Sequence, residues 1–123
     1  MPASPPEASS PPRRSVYFVV EYRWEPAAVE AVRRAYPQHR ADTDRLGAGG
    51  QLWMIGTLSH SDVAVDFDTA ENTCTAEDAH PPIRAIAVFR DRLAAERFRA
   101  GDPLFTQHWA TSSPVQRWSA LEY

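Results

Sequence analysis

The sequence has 123 residues and a net charge of −3, with 43% hydrophobic and 24% charged residues. This balance is typical of one globular domain with one hydrophobic core. The charges form no basic stripe for nucleic-acid binding, and no apolar run is long enough for a membrane span or a signal peptide, so we expect a cytoplasmic protein. All 13 basic residues are arginine, which excludes lysine-based pyridoxal phosphate chemistry and a P-loop. The one cysteine, Cys74, allows no internal disulfide.

The chain begins with a segment rich in Pro and Ser, residues 1–14, which has no apolar period and predicts a disordered tail. The domain is then residues 15–123. Its first element, Ser15–Arg23, is β-branched and aromatic and apolar on both faces, which predicts a central strand of a sheet. Pro26 is typical of the first turn of a following helix.

The predicted first helix has one apolar face. Its residues recur at alternating spacings of three and four: Val29, Val32, Tyr36, His39, Thr43 and Leu46. Pro37 should kink or restart this helix, and Gly47–Gly50 should end it with a left-handed residue. His39 on an apolar face is either a core histidine bonded to a backbone carbonyl or an imidazole facing a cleft. In the second case its replacement by alanine should cost little stability.

The remaining elements follow in order. We predict a second strand at Gln51–Leu58, a long acidic segment at 59–82 and a third strand at Ile83–Phe89. A helix capped by Asp91 and closed by Gly101 should follow at 92–100. A helical turn at Asp102–Trp109 and a last strand at 114–123 complete the chain. The order βαββαβ is typical of the ferredoxin-like α+β fold, a four-stranded antiparallel sheet with both helices on one face.

The second strand is apolar on both faces, through Leu52, Trp53, Met54 and Ile55. Helices cover only one face of such a sheet, and an open apolar face is an interaction surface. We therefore predict a homodimer that closes the two sheets into an α+β barrel.

The chain resembles the YCII-related (YciI-like) family in two places. Between the first helix and the second strand, the residues that match are Pro37, His39, Leu46, Gly50, Leu52 and Gly56. After the second helix they are Asp102, Pro103 and, in the last strand, Trp118. The resemblance spans roughly residues 15–120 apart from the long acidic segment, and it implies a dimeric α+β barrel.

The resemblance also implies a small enzyme with a histidine paired to an acidic residue, in the cleft between the first helix and the sheet. One activity in the family is an elimination from a chlorinated aromatic ring. His39 takes the place of the family's histidine, as a general acid/base. The family's aspartate at the end of strand one is replaced by Arg23, so we predict Glu21, or otherwise Glu25, as the partner of His39. If neither glutamate reaches His39, the mechanism that the resemblance implies does not transfer to this chain, and Arg23 becomes a candidate anion-binding group.

Other polar residues are predicted to bind substrate: Tyr22, Arg23, His60, Asp62 and His108. His60, Asp62, Asp66 and His80 match no known metal-site spacing, so we predict no metal site and interpret the acidic segment as a lid over the cleft. No cofactor is expected, and the expected partners are a small-molecule substrate and a second copy of the chain.

The sequence thus favours a small cofactor-free lyase or isomerase, such as a biosynthetic cyclase, that uses His39 on a small cyclic or aromatic substrate. A dimeric domain that binds a small molecule or a protein without turnover is the alternative, and the missing aspartate favours it. A purely structural assembly protein is a third interpretation, which predicts no pocket.

Overall fold

The computed structural model describes residues 11–58 and 83–123, so the predictions for residues 1–10 and for the acidic segment 59–82 lie outside the described residues. The elements are β1 (Arg13–Trp24), a 3-10 turn (Pro26–Ala28), α1 (Val29–Ala48), β2 (Leu52–Leu58), β3 (Arg84–Phe89), α2 (Arg92–Gly101), α3 (Pro103–Thr106), β4 (Ala110–Ser112) and β5 (Gln116–Glu122). Within these residues, no helix combines the length and the apolar composition needed to cross a lipid bilayer.

The sheet is antiparallel and fits a ferredoxin-like α+β fold in general. Its strand order is β2-β3-β1-β4, and β5 also pairs with β1. The prediction that the first strand is central is confirmed, and β3 is the other inner strand. The last strand predicted at 114–123 is β5, and a short strand that was not predicted, β4, precedes it. Pro114 lies between the two, where a missing backbone N–H cannot continue a ladder.

The start of β1 differs from the prediction. Arg13 and Arg14, expected in the tail, belong to the strand and lie opposite Glu122 and Leu121 of β5. Both side chains are exposed, and backbone pairing with the neighbouring strand fixes their conformation. An exposed strand end of this kind has no apolar period by which the sequence could reveal it.

The apolar face predicted for α1 is confirmed. Val29, Val32, His39 and Thr43 are buried, and Tyr36 and Leu46 pack at the edge of the core. Pro37 does not interrupt the helix, which is continuous from Val29 to Ala48. The buried residues on either side of Pro37 pack against one core, and this tertiary packing outweighs the cost of one lost backbone hydrogen bond.

The two faces of the sheet have different surroundings. On one face, Val20, Tyr22 and Trp24 pack with residues of α1 and α2 in the main core. On the other, Tyr17, Val88 and Ala120 form a second cluster with Val19, Trp53 and Ile86, which includes no helix residue of the described chain. We call this second surface the open face. A bulge between Leu52 and Met54 directs Trp53 to the open face, where it stacks on Tyr17 at 4.7 Å.

The end of α1 depends on one glycine. The Gly50 N–H donates to the Gly47 carbonyl, and the Gln51 N–H donates to the Leu46 carbonyl, both at 3.0 Å. These two bonds define a Schellman cap, which requires a left-handed residue at Gly50, where φ is +77°.

Replacing Gly50 by alanine should destabilise the protein by about 1–2 kcal/mol, because a Cβ is strained in the left-handed region. Gly47 is the matched control: it lies inside the helix, with nothing within 4 Å of an added Cβ. Gly47→Ala should raise the free energy of unfolding by about 0.5–1 kcal/mol. Urea denaturation of both variants measures the difference, and equal effects would contradict this account of the cap.

Candidate functional site

The site centres on a hydrogen bond between His39 and Asp102. His39 Nδ1 lies 2.8 Å from Asp102 Oδ2, and the two residues are only 4% and 3% exposed. A carboxylate can only accept, so a neutral His39 donates through Nδ1–H. The Nε2 lone pair is then the one that can take a proton.

Asp102 is held at the junction of α2 and α3. Its backbone N–H donates to the Phe98 carbonyl at the end of α2. Its Oδ1 accepts the Leu104 N–H at 3.0 Å, which caps the start of α3. One oxygen of the carboxylate therefore fixes its orientation, and the other remains for His39.

Aromatic rings surround the imidazole. The ring centroids of Tyr36, Phe98 and Tyr22 lie 5.7, 5.9 and 6.4 Å from that of His39. The Phe105 ring meets Tyr22 edge-on at 5.3 Å. These contacts restrict the orientation of the imidazole, and their low polarity strengthens its hydrogen bond to Asp102.

A cavity of about 420 Å³ lies between α1 and β2 and includes His39 in its wall. This volume is within the range of small-molecule sites, roughly 300–1,000 Å³. The aromatic part of the lining consists of Tyr22, Trp24, Tyr36 and Trp53. Arg40 and Asp44 also line it and form an ion pair of 2.9 Å, so the charges they bring offset each other.

Tyr22 is a buried tyrosine in the lining of this cavity. Burial raises the pKa of Tyr22 far above its usual value, and the Asp102 carboxylate and Tyr36 add to the effect. The phenol therefore remains protonated across the physiological range, and it can donate a hydrogen bond to an oxygen atom of a ligand.

The two predicted partners of His39 are wrong. Glu21 shares a pleat face with Tyr17 and Val19, but that is the open face and Glu21 is exposed there. Successive strand residues point to opposite faces, so Tyr22 faces the His39 cavity and Glu21 cannot. Glu25 lies before the 3-10 turn and pairs loosely with Arg23 at 3.7 Å.

Of the three predicted substrate-binding residues that the structure describes, Tyr22, Arg23 and His108, only Tyr22 lines the cavity. Arg23 is exposed on the open face, away from His39. His108 is exposed after α3, with a left-handed φ of 58°. His60 and Asp62 lie outside the described residues.

Sequence reasoning assigned Asp102 to a helical turn and missed its second role. The aspartate was visible through the Asp–Pro pair, which is a common start of a helix. A capping aspartate accepts a backbone N–H with one carboxylate oxygen, and its second oxygen can accept a hydrogen bond from another side chain. On this basis the sequence could have indicated Asp102 as a candidate partner of His39. Tyr36 is predicted only as part of the apolar face of the first helix, and nothing in the sequence indicates that it or Trp24 lines a cavity.

The expectation that His39 faces an open cleft needs correction. The residue does line a cavity, but its side chain is only 5% exposed and its bond to Asp102 is buried. Replacement of His39 is therefore expected to cost more stability than an imidazole in an open cleft would, because the loss of His39 leaves a buried carboxylate without its donor.

No family model matches this sequence, and no curated protein matches it. Within the part of the chain that the structure describes, no three His, Cys, Asp or Glu side chains come together in a group that could hold a metal ion. The site is therefore characterised by its own geometry: a buried histidine–aspartate pair beside an aromatic cavity.

We expect His39→Ala to lower the free energy of unfolding by about 2–4 kcal/mol, since Asp102 stays buried without its partner. Asp102→Asn can keep the acceptor for the Leu104 N–H and removes the charge. In the double variant the two losses should therefore not add, with a coupling of about 1–3 kcal/mol.

Asp91 provides the control for the cap. It accepts from the Leu93 and Ala94 N–H groups at the start of α2 and is exposed. Asp91→Asn should change stability by about 0.5 kcal/mol or less, because Asn and Asp cap equally well. Additive effects of the two substitutions at His39 and Asp102 would show that their hydrogen bond contributes nothing to stability.

Proposed function

We propose that this protein is a small cytoplasmic enzyme that carries out proton-transfer chemistry, with His39 as the general acid/base and Asp102 as the residue that positions it. The observation that carries the proposal is the buried 2.8 Å hydrogen bond between His39 Nδ1 and Asp102 Oδ2 in the wall of a cavity of ligand size. A buried polar pair without function would be an expensive way to stabilise a core, since an apolar pair of similar volume avoids the cost of desolvation.

The geometry supports one direction of proton movement. Asp102 fixes the tautomer with Nδ1–H, so Nε2 takes the proton from the substrate. The carboxylate then stabilises the imidazolium in a low-dielectric environment. Nε2 returns the proton to another atom of the substrate or to a leaving group. Elimination, isomerisation and cyclisation need such a transfer and no electron transfer.

The cavity favours a small cyclic or aromatic substrate. Flat rings stack well on aromatic walls, and Tyr22, Trp24 and Tyr36 are aromatic residues of the cavity lining. The Tyr22 hydroxyl is the donor for a substrate carbonyl or for an oxyanion that forms during proton removal.

The resemblance to the YCII-related family supports the same proposal, and we propose membership of it. The family places its histidine in the cleft between the first helix and the sheet, which is where His39 lies. This chain differs in the origin of the carboxylate, which comes from Asp102 and not from the end of β1. The Asp–Pro pair that carries half of the resemblance is thereby given a role.

Proton transfer can be tested before the substrate is known. We expect the protein to catalyse deuterium incorporation from D₂O into one class within a panel of small cyclic and aromatic carbon acids, followed by mass spectrometry. His39→Gln should lower this rate by about 100-fold or more, the usual contribution of a general base. Asp102→Asn should also lower it, because the amide can present an N–H to Nδ1.

Asp91→Asn should leave the exchange rate unchanged, since it alters a cap without a histidine. An exchange rate that is insensitive to His39→Gln would exclude His39 as the base. Tight ligand binding without exchange or turnover in the parent protein would support the alternative function, a binding domain without catalysis. The low exposure of His39 (4%) is the observation that favours this alternative.

We also propose that two copies associate through the open face into an α+β barrel. Met54 and Trp118 are 50% and 45% exposed and line a second cavity of about 540 Å³ on this face with Val19, Ile86 and Val88. Exposed apolar surface of this extent is typical of an interface.

Light scattering at micromolar concentration should give the mass of a dimer. Trp118→Glu should give a monomer, because it would bury a charge between the sheets. Leu93→Glu is the matched control: Leu93 is 54% exposed but lies on α2, so the dimer should persist. A monomeric parent protein would rule out this association.

A further inference from the structure

A row of hydrogen-bond donors crosses one end of the open face. Arg23 on β1 lies directly opposite Arg84 on β3 and, on its other side, opposite Thr111 on β4. Residues directly opposite each other in an antiparallel sheet share a face, with Cβ atoms about 4.5–5.5 Å apart. Arg84, Arg23 and Thr111 therefore form a continuous line across three strands.

The opposed arginines are an unfavourable arrangement for the isolated chain. Like charges directly opposite across two strands destabilise a sheet. Arg23 has only a loose ion pair with Glu25, 3.7 Å long and half exposed. Arg84 forms no ion pair with any other residue within 11–58 and 83–123. An anion between the two guanidinium groups would remove the repulsion.

The row lines a depression of about 240 Å³, to which Ser112 and Ser113 also contribute. The Ser112 hydroxyl accepts from Arg99 Nε at 2.9 Å, and the Ser113 hydroxyl donates to the Pro114 carbonyl at 2.9 Å. These bonds fix the strand end beside Thr111. Glu21 also lines the depression, so it holds two positive charges and one negative charge.

We propose that this depression binds the oxyanion of a small molecule, a phosphate or a carboxylate, between Arg23 and Arg84, with the Thr111 hydroxyl as a further donor. Guanidinium groups bind both anions through two parallel N–H···O bonds. The proposed site lies on the face of the sheet opposite the His39 cavity, and it does not depend on the proposed reaction. Arg23 thus has the anion-binding role suggested by the sequence, but on the open face of the sheet and not beside His39.

Titration of the full-length protein with inorganic phosphate and with acetate, at constant ionic strength, tests the proposal. The backbone amide NMR signals of Arg23, Arg84 and Thr111 should shift and saturate with at least one of the two anions, in the millimolar range expected for an exposed site. The anion that binds with the higher affinity indicates whether the ligand of this site carries a phosphate or a carboxylate. Arg84→Gln and Arg23→Gln should each weaken binding about 10-fold, as expected for loss of one charge-assisted hydrogen bond.

Arg97→Gln is the matched control, because Arg97 is an exposed arginine on α2 and its loss changes the net charge equally. Equal weakening by Arg97→Gln would show general attraction to a positive surface and overturn the proposal. An absence of saturation with both anions would do the same. If Arg23→Gln or Arg84→Gln changes the mass in solution without affecting anion binding, the row belongs to a contact between copies and the proposal is wrong.

Discussion

The hydrogen bond between His39 and Asp102 connects parts of the chain that are 63 residues apart and fixes how the helices meet above the sheet. Through it, α1 is joined to the junction of α2 and α3. Asp102 is only 3% exposed, and His39 and the Leu104 N–H supply the hydrogen bonds without which a buried carboxylate would be costly. The packing of the helical layer and the chemistry of the cavity beside it therefore depend on the same contact.

Strand β1 contributes to two surfaces that have no relation to each other. Tyr22 faces the helices and the cavity, whereas Glu21 and Arg23, its neighbours in the chain, face the other side of the sheet. The alternation of a strand makes this separation inevitable. As a result, a substitution on the side of β1 that faces His39 leaves the row of Arg23, Arg84 and Thr111 unchanged, and a substitution in that row leaves the surroundings of His39 unchanged.

Much of the fold could be predicted because its signals are local. The spacing along α1, the capping residues Asp91 and Gly50 and the β-branched runs each specify their own element. The partner of His39 could not be predicted in this way, because no local pattern relates two residues so far apart. The choice of Glu21 rested on its position at the end of β1, and the direction of its side chain in the finished sheet decided against it.

The bulge in β2 has a consequence for how this strand tolerates changes in length. Leu52 lies opposite Phe89 and Met54 opposite Val88, which are consecutive on β3, so Trp53 is supernumerary to the ladder. If Trp53 were deleted, every other side chain of β2 could still point to its present face of the sheet. A deletion elsewhere in β2 would instead move side chains from one face of the sheet to the other. Trp53, which the register does not require, is also the residue whose ring stacks on Tyr17 on the open face. Insertion of a single residue is thus a route by which an edge strand acquires a recognition element without any repacking of its core.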